Sequence, residues 1–227
     1  MKKNIIIGVS ILLIMIVGYF AYLNITSNNG VDYNFTDESG TLVKSNNISE
    51  ENIGESKFEI EITDNSEIYE IDSESTVSYT AQKKFFSKPT EAITGTTNDI
   101  SGDFVVDLEN KIISVDILIN SQTLKTGNVA RDKYVRGQIN GDISVIVEKV
   151  SFNDSKNISI NVPVVLTING ISRIINFNTN GSISDENGVL SSSAEINMNN
   201  FNIEPASLAN VYTVDEMATI SFDLILN

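Results

Sequence analysis

The feature that most constrains the fold is an apolar period of two that recurs from residue 58 to the C-terminus. Its longest run is Ile158, Ile160, Val162, Val164, Leu166 and Ile168, with Ser159, Asn161 and Pro163 on the other side. Side chains alternate across a β-strand, so such a run marks a strand with one dry face and one wet face. Shorter copies stand at 58–62, 113–119, 143–147, 175–177, 190–198 and 220–226. Turn chemistry falls between or beside them: residues 107–110, Asn140-Gly141, Asn153-Asp154, Asn169-Gly170, Asn180-Gly181 and Asn187-Gly188. Seven to nine strands at hairpin spacing predict an antiparallel sandwich or a closed barrel. The eleven residues of 158–168 are long for a small sandwich and suit a tilted barrel stave. Pro163 lacks an N–H, so it predicts an edge, a bulge or a bend there.

One stretch has a different character. Residues 4–23 contain no charge and follow Lys2 and Lys3. At about 1.5 Å per residue, some 20 helical residues span the roughly 30 Å hydrocarbon layer. The expectation is a membrane anchor over 1–23 with its N-terminus in the cytoplasm. A cleavable signal peptide is the rival, but the apolar run is long for one and no small-x-small site follows. Residues 24–57, rich in Asn, Ser, Gly and acidic groups, read as a flexible polar linker. The folded domain is then 58–227, on the extracytoplasmic side.

Composition removes whole classes of chemistry. The net charge of −15 leaves no basic stripe for nucleic acid. With no Cys and no His, disulfides, thiolates, imidazole bases and the commonest metal ligand are all missing. An enzyme would have to rely on carboxylates, Ser-Lys chemistry or a carboxylate-bound metal, and no spaced acidic cluster supports one. No catalytic residue, metal site or cofactor is predicted.

Five segments then carry a family resemblance: IYEIDSESTVSYTAQ (68–82), GTTNDISGDFVVD (95–107), ISVDILINSQTLKTGNVARDKYVR (113–136), LTINGISRIINF (166–177) and ISFDLIL (220–226). In order and spacing they resemble the YceI-like family of mostly exported bacterial proteins. The resemblance implies an eight-stranded antiparallel lipocalin-like barrel around an elongated apolar cavity. Its members hold polyisoprenoids such as isoprenoid quinones or polyprenyl phosphates. Two departures stand out. The family commonly has His two places after the Arg-Asp pair, where this chain has Tyr134. Its usual Tyr-Pro segment is replaced by QINGDISVIVE.

Within that frame, the basic insert 121–136 becomes the candidate rim. Asn128 is placed to cap a short helix from Val129. Arg131, Asp132 and Tyr134 are the rim candidates. Arg131 either receives a quinone carbonyl or a phosphate or pairs with a carboxylate. Asp132 either meets the ligand or caps backbone amides. Tyr134 either hydrogen-bonds a ligand or packs into the corner. Tyr79, Phe104, Val115, Ile117, Leu166, Ile168 and Phe177 are the cavity candidates, with core packing as the plain alternative for each. The expected function is binding of an isoprenoid lipid or quinone beside the membrane. The competing expectation is a solid-core structural or envelope-stress interaction domain without a ligand. Oligomeric state is not legible in the sequence.

Overall fold

The computed structural model describes residues 35–36, 42–43, 60, 62 and 65–227. The expected anchor lies outside the described residues. So does the expected linker, apart from a two-residue antiparallel ribbon of β1 (Phe35–Thr36) and β2 (Leu42–Val43). Among the described residues no helix is long and apolar enough to cross a membrane. Met1–Ser56 and Lys57–Asn227 separate as two compact units. The second contains the sheet described next.

Its alternation becomes ten antiparallel strands: β3 (Ser66–Tyr69), β4 (Thr76–Phe85), β5 (Glu91–Thr97), β6 (Ile100–Asp107), β7 (Ile112–Ile119), β8 (Ile143–Ser151), β9 (Ile158–Ile168), β10 (Ile171–Ile183), β11 (Gly188–Asn197) and β12 (Tyr212–Leu226). They form one curled sheet in the order β3-β6-β7-β8-β9-β10-β11-β12-β4-β5. The class is all-β and antiparallel, but the strand count is ten where eight were expected. Only Asn98 and Asp99 separate β5 from β6, so one extended stretch is split, half paired with β4 and half with β7. The split is made by a side chain: Thr97 Oγ1 accepts from Asp99 N at 3.1 Å, a local bond that diverts the backbone. The other addition is β3. It begins at Ser66, not at 58, and Ile60 and Ile62 belong to no strand.

The curl brings distant edges together. Beyond β3, Glu70 N donates to Asn227 O at 2.8 Å and Asp72 N to Ile225 O at 2.8 Å. A chain that starts against β6 therefore continues against the end of β12.

Register follows the dry face. Along β9, Ile158, Val162, Val164, Leu166 and Ile168 are buried, and Pro163 is exposed opposite Asn176. Pro163 costs the sheet no bond to β8, because β8 and β9 pair only at Ser144, Val145 and Ile146. Asn169 and Gly170 both adopt positive φ and join β9 to β10 in a tight hairpin. Asn180-Gly181, expected as a turn, instead lies inside β10. Gly181 is needed there for close approach, since a Cβ would strike the carbonyl oxygen of Val189 on β11.

At the end of the sheet away from β3, the longest non-strand insertion among the described residues forms a short 3-10 turn (Ser121–Thr123) and helix α1 (Val129–Gln138). Asn128 caps α1 as expected: its Oδ1 accepts from Arg131 N at 3.0 Å.

Candidate functional site

Helix α1 buries none of its residues completely. Side chains bonded to backbone hold it in place. Asp132 Oδ1 accepts from Thr126 N at 2.8 Å and from Thr126 Oγ1 at 2.5 Å, closing the turn before the helix. Those bonds lead the influences that hold the Asp132 carboxyl below its ordinary range, with the Arg136 and Arg131 charges adding to them. Arg136 donates from Nε and Nη2 to the Leu124 carbonyl, at 2.9 and 2.6 Å. Asn169 Nδ2 reaches the carbonyls of both Gln138 and Phe201, at 2.9 Å each. Tyr134 donates to the carbonyl of Glu204 at 3.1 Å. The helix is thus fastened across a gap largely by polar bonds, with Val135 and the C-cap residue Ile139 as its apolar contacts with the core.

Under it lies a cavity of about 520 Å³, within the range of roughly 300–1,000 Å³ usual for ligand pockets. Val77, Tyr79 and Ala81 of β4 face Leu166 and Ile168 of β9 across it, and Ile196, Ile220 and Phe222 complete the wall. The roof is the α1 face of Arg131, Tyr134, Val135 and Gln138, whose spacing of three and four places them on one side of a helix. Exposed residues such as Asn128, Ala130 and Leu208 also line it, so the cavity opens beside the helix.

Tyr79 is the polar feature of the wall. Its hydroxyl is buried and has no hydrogen-bond partner. Burial pushes the phenol up to about 12. The Arg131 charge pulls the other way and the Asp132 charge adds to the rise. Its ring lies across Gly95 on β5, where any Cβ would collide with it. Arg131 has no hydrogen bond from its guanidinium and no ion pair among the described residues, whereas Lys84 pairs with Asp215 at 2.7 Å. At the rim, Lys83 Nζ sits 3.8 Å from the centre of the Tyr212 ring. Burial also raises the Tyr134 phenol, with Glu204 and Tyr212 contributing.

The sequence candidates divide between two spaces. Tyr79, Leu166, Ile168, Arg131 and Tyr134 line the large cavity. Asp132 does not line it and instead locks the turn. Phe104, Val115, Ile117 and Phe177 surround a separate void of about 70 Å³ deeper in the sheet. Phe222 lines both spaces and divides them, packed edge-to-face on Phe177 with ring centres 5.4 Å apart. Sequence reading missed Lys83 and the segment 203–208 at the rim. Lys83 continues the inward alternation of β4 from Tyr79 and Ala81, a signal its charge conceals. The segment 203–208 has no period at all.

Among the described residues, no three His, Cys, Asp or Glu side chains are grouped to hold a metal. An antiparallel sheet curled round an apolar cavity that opens at one end belongs to the class of β-proteins able to enclose a small ligand. Within that class, the chain belongs to the YceI-like family, whose domain matches residues 69–226. A comparison with curated proteins found no match. Two of the solved structures similar to this chain show the likeness. One is a polyisoprenoid binding domain from Saccharophagus degradans implicated in plant cell wall breakdown: 16% identity, TM-score 0.55, covering 70% of this chain and 97% of that one. The other is BcnA of Burkholderia cenocepacia: 16% identity, TM-score 0.56, covering 69% of this chain and 99% of that one. At that identity the likeness is one of fold.

Proposed function

We propose that the domain holds an isoprenoid lipid, its tail in the cavity under α1 and its quinone or phosphate head at Tyr79 and Arg131. The observation that carries this reading is the pairing of an apolar hollow with a buried, unpartnered Tyr79 hydroxyl inside it. A buried donor without a partner is costly, and a ligand carbonyl or phosphate oxygen would satisfy it. Arg131, free of any ion pair among the described residues, supplies the charge that an anionic or carbonyl head would meet. Membership of the YceI-like family, and the polyisoprenoid-binding description of one solved neighbour, support the same cargo.

In this proposal β5 and β6 act as one bent stave. With β4 and β7–β12 they make an eight-stave, lipocalin-like barrel, closed through the contacts of residues 70–72 with β12. The apolar segment 4–23 anchors the chain in the membrane with its N-terminus cytoplasmic, and the barrel works on the extracytoplasmic side. The domain binds and does not catalyse. A solid-core interaction domain is the weaker reading, because only the end around Phe104, Val115 and Ile117 is nearly filled.

The test is solvent extraction of the purified full chain followed by mass spectrometry. A stoichiometric isoprenoid is expected. Extracts without one, together with no uptake of an added isoprenoid quinone or polyprenyl phosphate, would reject the reading.

A further inference from the structure

We infer that the cavity mouth is a membrane-docking face, which lays the opening against an anionic lipid bilayer. The inference rests on the isoprenoid reading, since a cargo of that kind resides in bilayers.

Two observations carry it. The first is that the two most exposed large apolar side chains among the described residues, Val129 and Phe86, stand at the mouth. Phe86 is 70% exposed and Val129 86%, with Leu208 at 52% and Val211 at 46%. Phe86, Leu208 and Val211 are joined by backbone bonds, Phe86 N to the Val211 carbonyl at 3.3 Å and Val211 N to the Leu208 carbonyl at 3.0 Å; Leu208 lines the cavity, and Val129 stands between two cavity residues, Asn128 and Ala130. Side chains of this size on an interfacial surface sink into the headgroup boundary. The second observation is charge. Segments 83–91, 125–143 and 199–216, which surround the cavity at that end, carry seven basic and six acidic residues. Segments 66–76, 107–111, 152–157 and 183–187, at the other end of the strands, carry two basic and nine acidic residues. In a chain of net charge −15, that polarity turns the mouth toward an anionic surface and the far end away from it. Lys88 and Lys133 stand exposed beside Phe86 and Val129 in sequence, as basic flanks to apolar anchors. A protein seated on this face would stopper the cavity, whereas a bilayer supplies the cargo through it.

The chain contains no Cys, so single spin labels can be placed without background. Full-length Phe86→Cys, Val129→Cys, Ile68→Cys and Val189→Cys proteins are labelled and reconstituted in vesicles of phosphatidylcholine with phosphatidylglycerol. Accessibility to oxygen and to a water-soluble nickel reagent then reports depth. Labels at 86 and 129 are expected to favour oxygen, and labels at 68 and 189 the nickel reagent. Adding Lys88→Glu and Lys133→Glu is expected to return the first pair to water. Equal aqueous exposure at all four sites overturns the inference. Spin–spin broadening at 86 and 129, with protection from both reagents, overturns it in favour of a second copy on this face. Extraction of bound isoprenoid from the same preparations separates the two claims. Cargo with aqueous mouth labels rejects the docking face alone. Embedded labels without cargo reject the carrier reading alone.

Discussion

Tyr79 sits at a point of conflict between stability and binding. Its hydroxyl lies buried without a partner, an arrangement that costs about 1–3 kcal/mol. Tyr79→Phe removes the cost, so the empty protein should gain about 1 kcal/mol of stability. The same change should weaken binding of a quinone or phosphate head by about threefold to tenfold, the worth of one hydrogen bond. Denaturant unfolding and ligand titration of the one variant read both signs, and a loss in both would refute the assignment. The phenol also has a pH signature. Its folded value, about 12, lies above the unfolded value near 10. Stability is therefore unaffected by this group's titration below about pH 10 and falls as pH rises toward about 12, where the unfolded chain ionises first. Wild type should lose stability relative to Tyr79→Phe across that window. Phe222 decides depth. Phe222→Ala should cost about 3–5 kcal/mol and join the two voids. Where the variant still folds, it should bind a tail one unit longer with gained affinity. The smaller change Phe222→Leu gives the same sign in a folded protein.

At the scale of elements, α1 is a roof held by polar fastenings. Asn128→Ala removes the cap on Arg131 N and should cost about 1 kcal/mol. Hydrogen exchange at residues 129–138 should accelerate while β9 and β10 stay protected; equal acceleration in the strands would show the helix to be part of the core. Legibility also differed by element. β9 could be read almost residue by residue, because burial on one face imposes a strict period of two. The cap at Asn128 was equally plain, as was the Asn169-Gly170 hairpin. Asn180-Gly181 misled, because glycine serves close backbone approach as well as turns. The break at Asn98-Asp99 was hidden, because a bond from Asp99 N to the Thr97 side chain leaves no mark on the hydrophobic pattern. Tyr79, Phe104, Val115, Ile117, Leu166, Ile168 and Phe177 all read alike as cavity residues, and their division between the large cavity and the deeper void was not legible for a related reason. Alternation gives the inward face but not how far along a stave the hollow ends. That limit comes from Phe222 meeting Phe177, a contact between strands far apart in sequence.

For the whole molecule, the layout is a polarised container: a hollow end with a polar roof and an apolar rim, and a filled end ringed by carboxylates. Its capacity is finite. At about 30 Å³ per water-sized group, a cavity of about 520 Å³ takes roughly 17 carbon groups, or about three to four isoprene units. Each buried unit is worth up to ~4 kcal/mol at ~0.8 kcal/mol per methylene. The most direct test is therefore a titration series with one head group and tails of one to eight isoprene units, read as Kd at fixed pH and salt. Affinity should rise at least tenfold per unit to about the fourth and then level off. Affinity indifferent to tail length, or no saturable binding at any length, would contradict the claim that this hollow exists to hold a tail.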